Sequence, residues 1–133
     1  MPRASGPFEV TLKPLPMDAD ADAHLMGRMS IDKVFRGDLE AVSKGQMLTG
    51  GTAIKNSAAY VAIERVTGTL KGRKGSFTLQ HTGLMNRGSP SLLISVVPDS
   101  GTEQLEGLRG TMAINIEAGK HSYQLEYTLA DRA

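Results

Sequence analysis

Short runs in which apolar and polar residues alternate, most of them closed by a glycine, recur down the whole chain, and helical spacing is hard to find anywhere. A period of two places every second side chain on the same face, so the chain is constrained to strands with one buried and one solvated surface. The pattern predicts strands at Gly6–Lys13, Leu25–Arg36, Leu39–Thr49, Ala58–Lys71, Lys74–Leu84, Ser91–Val97, Leu108–Glu117 and Lys120–Leu129. Several exceed the usual length of about five or six residues, as strands tilted in a barrel do. The expected fold is all-β: an eight-stranded antiparallel up-and-down barrel, in a single domain covering residues 1–133.

A chain of 133 residues should bury roughly two-thirds of its unfolded surface, enough to fold without a covalent staple. It has no cysteine, which rules out a disulfide framework, a thiolate metal site and a thiol nucleophile, and fits a cytoplasmic setting. The start, Met1-Pro2-Arg3-Ala4-Ser5-Gly6, lacks the apolar segment of a signal peptide, and no apolar run approaches the roughly 20 residues of a membrane helix. With 15 basic against 14 acidic residues there is no basic excess, and three tyrosines with three phenylalanines make few stacking platforms. Neither nucleic acid nor membrane is therefore an expected partner.

The connections suggest which end of the barrel is open. Lys71-Gly72-Arg73-Lys74 and Glu117-Ala118-Gly119-Lys120 read as tight hairpins, and Arg36-Gly37-Asp38 as another. Pro14–His24, Gly50–Ser57 and Met85–Pro90 read as longer loops. In an up-and-down barrel those three share one end with the Glu117–Lys120 tip, which makes that end the expected mouth.

Pairing strands through the tight turns sets a register. With Lys71 opposite Lys74, Gly68 faces Phe77, Val66 faces Leu79, Glu64 faces His81 and Tyr60 faces Met85, while Thr69, Thr67 and Arg65 share the other face with Ser76, Thr78 and Gln80. One face is apolar and the other polar, and a one-residue slip would mix them. Pairing Glu117 with Lys120 sets Ile116 against His121, Ile114 against Tyr123, Met112 against Leu125 and Gly110 against Tyr127. At Gly37 a three-residue turn pairs Phe35 with Leu39 and lays Lys33, Ile31 and Met29 beside Ala41, Ser43 and Gly45. Glu64 and His81 are thereby expected inside the barrel, close enough to hydrogen-bond and to titrate as a unit. Such a pair can act as general acid and base, or simply satisfy itself and fix strand register.

Other signals carry less. Asp18-Ala19-Asp20-Ala21-Asp22 imitates the start of a calcium loop, but Ala23 stands where the turn needs glycine and Met29 where it needs a bidentate glutamate. Gly72-Arg73-Lys74-Gly75 spells the glycine loop of KH domains, yet joins strands rather than helices. The histidines, His24, His81 and His121, have no second histidine at ligand spacing. No metal and no cofactor are expected. Met29, Met47, Met85 and Met112 fall on the inward face, as gap fillers or as an adaptable apolar lining.

The segment Tyr60–Leu70 followed by Gly75–His81, with Val97-Pro98-Asp99-Ser100-Gly101-Thr102 and Gly107–Met112, resembles a bacterial family of unknown function among the allene-oxide-cyclase-like barrels. The resemblance covers nearly the whole chain. It implies an eight-stranded barrel and says much less about activity: allene oxide cyclases hold a lipid epoxide in the lumen and steer its ring closure, but the resemblance carries no catalytic residue, and hence no activity, over to this chain. Fold and chemistry often part company in such groups.

Three functions follow as expectations. The first is a barrel binding a small apolar molecule, with Met29, Phe77, Leu79, Met85, Ile114, Tyr123 and Leu125 as walls and Tyr60, Glu64 and His81 as polar anchors. The second is a cofactor-free isomerase or cyclase, with Glu64 and His81 as catalytic acid and base. The third is an assembly module with a packed lumen; Leu92-Leu93-Ile94-Ser95-Val96-Val97 is apolar on both faces, which suggests a homo-oligomer covering its outer side.

Overall fold

A computed structural model of the protein, describing residues 2–18 and 25–130, folds the alternating runs into eight strands. They are β1 Arg3–Leu15, β2 Met26–Phe35, β3 Leu39–Gly51, β4 Ala58–Leu70, β5 Arg73–Asn86, β6 Ser89–Val96, β7 Arg109–Glu117 and β8 Lys120–Thr128. Each pairs antiparallel with its neighbours in chain order, and β8 closes on β1. The barrel is therefore the expected one. Asp20, Asp22 and His24 of the acidic loop lie outside the described residues.

The β7–β8 register is as expected, from Glu117 opposite Lys120 to Gly110 opposite Tyr127. Two other hairpins differ by two residues. The β4–β5 turn is Lys71-Gly72, both residues with positive φ (46° and 84°), which is the backbone twist a two-residue hairpin prefers. Leu70 thus pairs with Arg73, Glu64 lies opposite Leu79, His81 opposite Ala62, and Tyr60 opposite Gly83 rather than Met85. In β2–β3 the ladder starts at Phe35 and Ala41, not Phe35 and Leu39. The intervening backbone is bonded elsewhere: Arg36 and Asp38 donate to the carbonyls of Pro7 and Ser5, and Leu39 donates to the Tyr123 hydroxyl. A slip of two keeps every side chain on its face, so the inward set is unchanged. Met85–Pro90 is also tighter than expected, turning at Arg87-Gly88 with φ of 47° and 92°.

One end of the barrel is sealed. Leu39, Leu70, Phe35 and Phe77 pack there with Leu105 and Leu108, which the connection after β6 folds inward around a 3-10 turn at Glu103–Leu105. Arg65 on the outer face clamps that connection, donating to Thr78, Ser76 and the Ser100 carbonyl. Higher up, β6 and β7 are joined only at Ile94–Met112 and Ser95–Thr111 among the described residues. Above that seam Leu92 and Leu93 of β6 are exposed. Among the described residues no helix is long and apolar enough to cross a membrane.

Candidate functional site

Between the sealed end and the mouth lies a buried polar cluster built around Glu64. Glu64 on β4 and His81 on β5 are diagonal rather than opposite, a separation that long side chains span. His81 Nε2 is 2.5 Å from Glu64 Oε2. Lys33 from β2 donates to the same oxygen at 2.8 Å, and the Ser43 hydroxyl from β3 donates to Oε1 at 2.7 Å. All four are buried, Glu64 completely. Gly45, opposite Glu64 on β3, makes this possible: a Cβ there would lie 2.8 Å from the Glu64 Cβ and 2.1 Å from the Ile63 carbonyl oxygen.

Burial alone would push the Glu64 carboxyl upward. The His81 hydrogen bond, the charge and hydrogen bond of Lys33, and the Ser43 hydroxyl outweigh it and bring the group from 4.5 to about 2. Glu64 is thus an anion accepting from three donors. Lys33 Nζ also lies 5.2 Å from the centroid of Phe8 and 5.7 Å from that of Phe35, so its charge is held by one carboxylate and two aromatic faces.

On the mouth side of the cluster stands Tyr60, its hydroxyl 3.2 Å from His81 Nδ1. Its ring occupies the space that Gly83 leaves free on the adjacent strand; a Cβ at Gly83 would be 2.4 Å from the ring. Burial, and after it the Glu64 carboxylate, push the phenol above its ordinary value, so it remains protonated at neutral pH. Gly83→Ala is expected to displace the ring and break its contact with His81; an unmoved ring in the variant's crystal structure would show that the glycine is not what seats it.

Above Tyr60 the barrel opens into an apolar pocket of about 650 Å³, lined by Leu25–Gly27, Met47, Thr49–Gly51, Ala58–Tyr60, Gly83–Met85 and Pro90–Leu92. This is the end carrying the Gly50–Ser57 connection and the Arg87-Gly88 turn, as expected; the Glu117–Lys120 tip does not line it. Of the residues expected as walls, Met85 lines the pocket, as does the expected anchor Tyr60. Phe77, Leu79 and Leu125 are fully buried in the packed core, and Met29 is half-buried on β2. Ile114 and Tyr123 border a separate hollow of about 480 Å³ beside Ser5 and Gly6, where the Tyr123 hydroxyl donates to the Arg36 carbonyl and accepts from the Leu39 amide. Glu64 and His81 are brought together but lie behind Tyr60, not on the pocket wall.

The sequence register puts Lys33 and Ser43 on the inward face without assigning either a role. The signal was present: a lysine inside a barrel demands an anion, and Glu64 is the inward carboxylate nearest in register. Among the described residues no three His, Cys, Asp or Glu side chains gather to hold a metal.

The pattern of the family described as protein of unknown function (DUF3224) matches residues 4–127. A crystal structure of a DUF3224 protein of unknown function from Shewanella oneidensis MR-1 is 48% identical, with 99% of each chain covered and a TM-score of 0.92. No curated protein matches.

Proposed function

The chain belongs to the DUF3224 family, and with no activity attached to that membership we propose, from the site itself, that it binds a small apolar molecule in the mouth of the barrel, anchored at Tyr60. The observation that carries this reading is the open apolar pocket with a phenol tied into a rigid, charge-satisfied cluster beneath it. Its volume is within the usual range of about 300–1,000 Å³ for small-molecule sites. Holding one polar group in fixed geometry at the base of an apolar wall is how such sites orient a ligand. The resemblance to allene-oxide-cyclase-like barrels supports the same use of the lumen.

A neutral apolar fluorophore, N-phenyl-1-naphthylamine, tests the proposal. Saturable one-to-one enhancement is expected with the wild-type protein. Ala58→Trp, two residues mouthward of Tyr60 on the same face of β4, is expected to weaken it at least about tenfold by filling the pocket. Absence of saturable binding, or equal binding by a folded Ala58→Trp variant, overturns the reading.

A second reading is favoured by one observation, the continuous path Tyr60–His81–Glu64. Since Glu64 and His81 do not reach the pocket, acid–base chemistry on a bound molecule would run through the Tyr60 hydroxyl, with the dyad behind it. Recovery of candidate ligands unchanged after long incubation separates binding from turnover.

A further inference from the structure

The hydrogen-bond directions in the cluster determine what Tyr60 can offer a ligand. Glu64 is a carboxylate that accepts from Lys33 at Oε2 and from Ser43 at Oε1 and has no proton to give, so His81 donates from Nε2 to Oε2. Lys33 and Glu64 supply one cation and one anion in a site from which water is excluded, and a neutral imidazole leaves the group balanced, whereas an imidazolium would leave a buried excess charge. In the neutral ring with hydrogen on Nε2, Nδ1 carries a lone pair. The Tyr60 O–H is therefore committed inward, donating to Nδ1, and its oxygen lone pairs are what remain for the pocket.

We propose that the pocket selects neutral, hydrophobic molecules bearing a hydrogen-bond donor, an alcohol or phenol hydroxyl, over the corresponding ethers and carboxylates. This rests on the pocket reading above and narrows it. Carboxylates are disfavoured because, among the described residues, none lining the pocket is charged and because the Glu64 anion lies behind Tyr60, beyond His81. Thr49 and Ser91 also line the pocket, but their hydroxyls rotate to donate or accept, so they do not discriminate. Tyr60 does, because its proton is already placed.

Three matched probes test this at pH 7.5 by calorimetry or by displacement of the fluorophore: 4-butylphenol, 4-butylanisole and 4-butylbenzoate. The phenol is expected to bind about five- to tenfold more tightly than the anisole, the scale of one net hydrogen bond. The extra methyl group favours the anisole on hydrophobic grounds, so a preference for the phenol cannot come from burial. The benzoate is expected to bind most weakly. Tyr60→Phe should bring the phenol down to the anisole's affinity and leave the anisole within about twofold. Equal or tighter binding of the anisole or benzoate overturns the donor selectivity while leaving the pocket standing. Failure of all three probes and of the fluorophore overturns both.

Discussion

Glu64→Gln is expected to lower the free energy of unfolding by about 3–5 kcal/mol, the usual cost of removing one partner from a buried ion pair. Glutamine keeps the shape and can still accept from Ser43 or His81, but it leaves the Lys33 ammonium buried with only the faces of Phe8 and Phe35 against it. That ammonium must then remain charged without an anion or lose its proton, and either course is unfavourable. For a chain of this size the expected fall in Tm is about 10–20 °C. Lys33→Met in the Glu64→Gln background removes the stranded charge and is expected to restore at least about half of the loss. Urea and thermal unfolding of the wild type, both single variants and the double variant complete the cycle. Losses below about 1 kcal/mol in the single variants, or strictly additive losses in the double, would mean that the pair is not the buried contact described here.

The reach and the limit of the sequence reading have one physical origin. Alternation reports which face a side chain is on, and that information survives any even slip between strands. Glu64, His81, Lys33 and Ser43 could therefore be placed inside the barrel from sequence alone. Which residues lie opposite depends on the turn, and the choice between Lys71-Gly72 and Gly72-Arg73 turned on whether a lysine would accept a left-handed backbone, to which composition is nearly blind. At Gly37 the deciding contacts come from β1 and β8, far away in sequence, through Ser5, Pro7 and Tyr123. The depth of each inward residue was likewise not legible. Phe77, Leu79 and Leu125 have the same alternation signature as Met85, yet the connection containing Leu105 and Leu108 seals their end and leaves Met85 at the open one. That connection has no periodic pattern of its own, so nothing in the sequence announced that it would form the floor of the barrel.

Acid should remove the contribution of the same carboxylate without mutation. The Glu64 group is held at about 2 in the folded protein against 4.5 as its ordinary value. A lowered carboxyl means that the unfolded chain binds the extra proton, so stability from this group is fully present above pH 4.5 and is lost as pH falls from there towards 2. A depression of that size in a fully buried group corresponds to about 3 kcal/mol. Protonating Glu64 also strands Lys33 as the glutamine variant does, which is why the two losses are similar in scale. Unfolding free energies measured at intervals between pH 6 and pH 2.5 are expected to fall more steeply for the wild type than for Glu64→Gln, with the curves converging at the acid end. Comparing the two proteins cancels the exposed carboxylates, which titrate in both. Parallel curves across that window would mean that Glu64 does not carry its charge into the folded barrel, and the assignment of His81 as donor to it would fall with that charge.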